Sequence, residues 1–446
     1  MSRAFFAGHG GSSVRSSLPH DVLVAPVPRR VLSQVKSVVL GWACWSFGVI
    51  LIPIGAFAVP ADPGYALPPV FFGGERDLAV WLIWAVAFVA MSLAMRQLRD
   101  AAPRALIIGL ALGGSVVAFA PALDSHDPYA YLLYGEMAMH GANPWNPVTV
   151  TIWNATTAQG VRPWGNPPVA SVYGPAFIAV EAAVVATFHS ATTYELLLVQ
   201  RIISLSAALG ITALLRGRQR AIWALHPLVL FETAFGAHND VLMLLPLALA
   251  MRLHNSLGAG VALACGTCVK IVGVATTALR PRSLLAVAVT LGIVFAFGHS
   301  SLGIAQLKHH QELTPLNSPV MLLRAVFDHT LHLRFGTVLA KGIVWVAASA
   351  AILSLVIRRR RSNMAAIALL VVGAIPIIYP WYFLWPLCAA TIAQRRFAES
   401  VAGIAAASFL LDLPAFVAPT FALEYGATVG LVLFAAVSLW PKWRPA

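Results

Sequence analysis

Charge is scarce in this chain. Only 11% of its 446 residues are Asp, Glu, Lys or Arg, against 59% hydrophobic residues and a mean hydropathy of +0.79, which excludes an ordinary soluble domain. Acidic residues are scarcer still, 17 against 30 Lys and Arg, for a net charge of +13. That surplus does not mark a nucleic-acid surface. The basic residues sit in short stretches between apolar runs, at Arg29, Arg30 and Lys36, at Arg96, Arg99 and Arg104, at Arg216, Arg218 and Arg220, at Arg358 to Arg361, at Arg395 and Arg396, and at Lys442 and Arg444. This is the positive-inside pattern of a membrane protein. Cysteine is rare as well: Cys44, Cys265, Cys268 and Cys388 lie in or beside apolar segments, as small hydrophobes do. No apolar signal region precedes the first full-length span, so a cleaved signal peptide is not expected. No internal repeat, direct or inverted, points to a transporter.

What the chain does have is apolar runs of the roughly 20 residues needed to cross about 30 Å of hydrocarbon, where only helices satisfy the backbone. Candidate spans lie near 37–59, 78–95, 104–123, 169–188, 194–215, 221–236, 239–253, 257–279, 283–304, 336–357, 364–379, 381–393, 399–418 and 426–440. The fold expected is an all-α polytopic membrane protein of about twelve spanning helices, give or take two. Residues 1–36 read as a basic cytoplasmic N-terminus without regular structure, 37–440 as one transmembrane domain and 441–446 as a cytoplasmic tail. Within that domain, 124–168 and 305–335 read as external loops. The residue signs do not alternate cleanly around 169–220 and 257–282, so one segment in each region is expected to be partial or re-entrant and to line a cavity.

The expected outer face collects the polar chemistry. The stretch DSHDPYAYLLYGEMAMHGANPW at 124–145 puts three carboxylates, two histidines and several aromatics directly after an apolar helix. Asp127, Tyr131 and Gly135 are four residues apart and share one face of a helix. Asp127 before Pro128 also reads as a simple helix start, with Asp as N-cap and the tyrosines at headgroup level. The functional reading is a carboxylate beside an apolar wall, its pKa raised toward that of a useful base, with Asp124 as a second candidate. The DSHD spacing is a weak metal pattern, and no metal or other cofactor is expected.

Further along stand GANPW at 141–145, NPPVASVYGP at 166–175, HPLVLFETAFGAHND at 226–240, CVKIVG at 268–273 and YPWYFLWPL at 379–387. The ordered set D-x-Y-x-Y-x-x-x-G, G-x-N-P-W, Y-G-P, G-x-H-N-D, a lone Lys in a small-residue span, and P-W-Y resembles the polyprenyl-phosphate-mannose-dependent mannosyltransferases of the GT-C superfamily, the mycobacterial alpha-1,6-mannosyltransferases in particular. The resemblance spans about residues 104 to 390, with Trp145 standing where Tyr is commoner.

That resemblance implies a membrane enzyme that takes a hexose, mannose first, from a polyprenyl-phosphate sugar donor and passes it to a glycan or glycolipid hydroxyl. It implies inversion, a site on the non-cytoplasmic side of a bacterial inner membrane, and Asp127 as base. Tyr129, Tyr131, Asn143, Tyr173, His238, Asn239, Asp240, Lys270, Arg201, Trp381 and Tyr382 are the candidates for substrate binding. Simpler roles stand beside these: Asn239 and Asp240 as helix caps, Lys270 as a snorkelling cation, Tyr379, Trp381 and Tyr382 as an interfacial belt. Lys308, His309, His310 and Arg324 read as a solvated loop. A transporter or flippase of lipid-linked sugar is the alternative from another class.

Overall fold

A computed structural model describes residues 29–59, 78–146, 170–274, 280–298, 317–358, 363–393 and 398–412. Among them helix accounts for 81% and no strand occurs, so the all-α expectation holds. The helices in chain order are α1 (Arg29–Phe57), α2 (Leu78–Gln97), α3 (Pro103–Ala118), α4 (Asp127–Met139), α5 (Pro175–Thr187), α6 (Thr193–Leu214) and α7 (Gly217–Ala224). They continue with α8 (Pro227–Leu230), α9 (Asp240–Arg252), α10 (Ser256–Val269), α11 (Leu284–Gly298), α12 (Pro319–Ala325), α13 (Gly336–Ile357), α14 (Met364–Ala374), α15 (Leu384–Ala393) and α16 (Ala398–Ala407).

Among the described residues, four helices are long and apolar enough to cross a bilayer: Ser33–Phe57 of α1, α2, α6 and α13. Six shorter apolar helices accompany them. The candidate span at 426–440 and the histidines His309 and His310 lie outside the described residues.

The first two long helices illustrate how small residues set the packing. Gly41, Gly48 and Gly55 recur every seven residues on α1 and meet Leu98, Met91 and Trp84, which recur every seven along the antiparallel α2 and the residue that follows it. A Cβ on Gly41 would stand 2.8 Å from Leu98, so the helix axes approach only because those positions carry no side chain. Trp84 then donates its indole N–H to the Ile52 carbonyl at 2.9 Å, one residue before Pro53. Its ring, with Phe88, Phe231, Phe235 and Phe409, forms an aromatic core around the 226–240 segment.

That segment is not the continuous span expected at 221–236. α7 stops at Leu225, His226 caps the next turn by accepting from the Leu228 N–H, and after α8 the chain widens into a π-turn, Phe231–Phe235. Widened turns of this kind are common at functional sites because they re-aim side chains. Ala237 follows with φ +54°, a left-handed conformation that L residues other than Asn and Asp rarely adopt, and it turns the chain into His238.

The irregular signs around 257–282 have a structural origin. α10 ends at Lys270, which pairs with Asp240 at the start of α9. By Arg280 the chain is back at the other end of α9, where Arg280 donates to the Ala250 and Leu253 carbonyls. Lys270 and Arg280 thus stand at opposite ends of α9. Arg220 caps the C-terminal carbonyls of α6 in the same way, at Thr212 (3.0 Å) and Leu215 (2.6 Å), and its charge and that of Arg216 act on Arg252. One end of the bundle is thus lined with arginine, and the roughly 20 Å length of α9 separates it from Asp240.

Candidate active site

Asp127 is the first residue of α4, with Pro128 behind it, yet its carboxylate does not cap the helix. The capping reading therefore gives way. Oδ2 instead accepts from the Tyr131 and Tyr173 hydroxyls, each at 3.4 Å, and faces His238 Nδ1 at 3.7 Å. The last distance is that of an ion pair and too long for a hydrogen bond. All three contacts fall on Oδ2, Oδ1 has no hydrogen-bond partner among the described residues, and the side chain keeps 17% of its surface exposed. Tyr131 reaches the carboxylate because it is one helical turn on. Gly135, another turn on, lies against α5, where a Cβ would stand 2.6 Å from the Glu181 backbone.

His238 is fully buried and is held from every side. Its backbone N–H donates to the Glu232 carbonyl at 2.8 Å across the π-turn. Its Nε2 lies 3.1 Å from Asp124 Oδ2, 3.5 Å from Glu232 Oε2 and 3.5 Å from Ser125 Oγ. Its ring stacks on Trp381, which stacks in turn on Tyr379. Asp124, Glu232 and His238 each offer one ligand-type atom within 4.8 Å of the others, a grouping of the size that holds a cation.

The electrostatics follow from burial and neighbours. Desolvation is the largest influence on Asp127 and raises its pKa; His238 and Lys270 pull it down, Asp124 and Asp240 push it up, and the net result lies above the usual carboxylate value. Burial works against a charged His238, but the charge and hydrogen bond of Asp124, with Asp127 and Asp240 beyond, outweigh it and hold the imidazole pKa above its ordinary value.

A second charged unit adjoins the first. Lys270 Nζ donates to Asp240 Oδ1 at 2.9 Å and is ringed by Tyr173, Tyr382 and Trp385, whose centroids lie 5.7, 5.2 and 5.4 Å away. Trp385 Nε1 donates to the same Asp240 oxygen. Lys270 stays 12% exposed, so it does not snorkel away from the site. Neither Asn239 nor Asp240 makes a side-chain cap to α9, contrary to the simple capping reading. The Asn239 amide is buried with neither its oxygen nor its nitrogen hydrogen-bonded among the described residues.

The structure therefore brings Asp127, Tyr131, Tyr173, His238, Asp240, Lys270, Trp381 and Tyr382 together, with Asn239 between two of them. It sets three candidates apart. Tyr129 is buried on the side of Arg201. Asn143 is exposed and accepts from the Trp145 N–H at 2.9 Å; Trp145 then donates to the Tyr173 carbonyl at 2.8 Å, so Asn143 shapes the loop that carries Tyr173. Arg201 is engaged by backbone carbonyls, a correction to its reading as a substrate ligand. Arg324 pairs with Asp328 at 3.1 Å, away from this cluster. Glu232 and Trp385 were missed. Glu232 stood out only as a carboxylate in an apolar run six residues before His238, a spacing that no regular helix brings together.

The fold and site define a polytopic helical membrane protein with a buried carboxylate–imidazole centre beside a caged lysine. The family described as alpha-(1->6)-mannopyranosyltransferase, N-terminal domain, matches residues 39–288, more than half of the chain, and the chain belongs to that family. It is accordingly a membrane glycosyltransferase of the alpha-mannosyltransferase kind, with a sugar donor and a glycan acceptor. Comparison with curated proteins and with solved structures returns no significant match. The match contains Asp127, His238 and Lys270, whereas Trp381 and Tyr382 lie beyond it.

Proposed function

We propose that the protein transfers mannose from a polyprenyl-phosphate donor to a hydroxyl of a glycan or glycolipid, with inversion, and that Asp127 is the base. The observation that carries this reading is the Asp127 carboxylate itself: uncapped, fixed through Oδ2 by two tyrosines and His238, and open at Oδ1. Oδ1 takes the acceptor proton as the acceptor oxygen bonds to the anomeric carbon. The bond from that carbon to the phosphate breaks on the opposite face, and its electron pair leaves with the phosphate. No covalent sugar intermediate is needed.

Negative charge grows on the departing phosphate, and Lys270, held near the base by Asp240 and the aromatic ring, is the cation placed to meet it. Tyr382 offers a flat face to the sugar, with Trp381 stacked between His238 and Tyr379 behind it, and the Asn239 amide, without a hydrogen bond among the described residues, offers a donor and an acceptor to its hydroxyls. A polyprenyl donor stays in the bilayer, which suits a site set on a short helix beside apolar spans. The arginine-lined end of α9 supports a cytoplasmic placement for that end and a periplasmic or external placement for Asp240 and Asp127, in a bacterial inner membrane.

The test is transfer from labelled polyprenyl-phosphate mannose into an acceptor pool by purified wild type and Asp127→Asn. The expected loss is about 10²- to 10⁴-fold for a folded variant. Undiminished transfer would move the base elsewhere, Asp124 first. Movement of labelled lipid across proteoliposomes with no transfer would make the protein a carrier.

A further inference from the structure

Arg201 lies in α6 with only 2% of its surface exposed, so its guanidinium must find its partners inside the protein. Nε donates to the Phe235 carbonyl at 2.9 Å, Nη1 to the Ala118 and Ala120 carbonyls at 2.8 and 2.6 Å, and Nη2 to the Ala122 carbonyl at 2.5 Å. Four of the five N–H groups that a guanidinium carries are therefore committed to backbone. A phosphate would find one N–H left on this cation and no free fork of donors.

The acceptors belong to two chain segments. Ala118, Ala120 and Ala122 run from the last residue of α3, through the turn that ends it, to the residue pair before Asp124. Phe235 closes the π-turn that leads through Ala237 to His238. One segment delivers Asp124 and Asp127, the other delivers His238. The same stretch of α6 adds Gln200, donating to the Pro128 carbonyl at 3.3 Å, and Ser204, donating to the His238 carbonyl at 3.4 Å.

We infer that Arg201 is a positioning residue that ties these two segments together and sets the separation between Asp127 and His238. The inference rests on the reading of Asp127 as base. The two segments also meet inside the site, where His238 Nε2 lies 3.1 Å from Asp124 Oδ2; Arg201 joins them from outside that pair, through four hydrogen bonds to their backbones. A small shift between base and imidazole is enough to cost about 10²-fold in rate.

The test compares Arg201→Lys and Arg201→Met with wild type as folded, monodisperse protein, measuring kcat, the donor KM and the pH profile of kcat. Arg201→Met is expected to lose at least about tenfold in kcat with the donor KM changed less than about twofold. Arg201→Lys, which keeps a cation and three donors, is expected to recover part of the loss. Asp127 is faced by His238, Lys270, Asp124, Asp240, Tyr131 and Tyr173, and His238 is the nearest cation. Loosening the tie weakens that cation's hold, so the acidic limb moves to higher pH.

An unchanged kcat in Arg201→Met overturns the inference. So does a raised donor KM at unchanged kcat, which would make Arg201 a donor ligand. If Arg201→Met does not fold, Arg201→Lys decides: wild-type kcat with an unmoved pH profile overturns the inference. Asp127→Asn run in parallel separates the two claims. Full transfer by Asp127→Asn removes the base assignment, whatever the Arg201 variants do.

Discussion

The His238 imidazole lies against the face of the Trp381 indole, ring centroids 4.1 Å apart and planes 18° from parallel. Trp offers the strongest π-face to a cation, and desolvation strengthens the attraction to about 2 kcal/mol. The stack therefore favours the charged form of His238, in the same direction as Asp124. Trp381→Leu keeps an apolar filler but removes that face. Proton loss from His238 then occurs at lower pH, and the basic limb of the kcat profile moves down by about one unit. An unmoved basic limb would detach Trp381 from the imidazole's charge and leave it as packing alone.

The raised pKa of Asp127 fixes the sign of the acidic limb. A base works only when unprotonated, so transfer rises with pH through a value above the ordinary carboxylate range. His238 lowers the Asp127 pKa by its charge, and Asp124 raises it. His238→Asn should therefore carry the acidic limb to higher pH, and Asp124→Asn to lower pH. Asp124→Asn should also lower the basic limb, because Asp124 supports the His238 cation. Rate profiles of wild type and both variants between about pH 4 and 9 measure the acidic limb, and those of wild type and Asp124→Asn the basic limb; acidic limbs that move in the same direction in His238→Asn and Asp124→Asn would sink the coupling.

Lys270 and Asp240 are a buried pair with side chains 12% and 1% exposed, so removing one partner strands the other. Lys270→Met leaves the Asp240 carboxylate without its cation and should cost about 3–5 kcal/mol of stability. Lys270→Met combined with Asp240→Leu restores charge balance and should recover most of that loss, while donor turnover stays low because the phosphate has lost its cation. Thermal unfolding in detergent together with kcat separates the two effects. Recovery of turnover along with stability would show that Lys270 serves the fold only.

Much of this site was legible in the residue pattern. Asp127, Tyr131 and Gly135 share a face because helical spacing is local, and Lys270 stood out because a charge among small apolar residues demands a partner. What pattern could not supply was the partner itself. Asp240 is 30 residues from Lys270, and Tyr173 is 46 from Asp127, distances that only the packing closes. Glu232 was hidden by the π-turn, whose register no periodicity announces. Arg201 was misread for a related reason: a buried Arg looks the same in sequence whether it meets a phosphate or four carbonyls. In the fold, the long runs of α1, α2, α6 and α13 were plain, whereas the break at Leu225 lay hidden in an apolar run that reads as one span.

Asp124, Glu232 and His238 converge closely enough to hold a cation, and two carboxylates on one imidazole nitrogen require positive charge between them. A proton on Nε2, which lies 3.1 Å from Asp124 Oδ2, is the occupant we expect, in the direction in which Asp124 shifts the imidazole. A protonated nitrogen has no lone pair for a metal, so proton and ion are exclusive occupants. Transfer by protein treated with EDTA and desalted should therefore match untreated protein, and added Mg²⁺ or Mn²⁺ should bring no gain. The companion measurement is the His238 ring by NMR in selectively labelled protein, where imidazolium nitrogens are expected near neutral pH. Activity lost to EDTA and restored by either ion, with a neutral metal-bound ring, would replace the proton with a cation and make Asp124 and Glu232 its ligands.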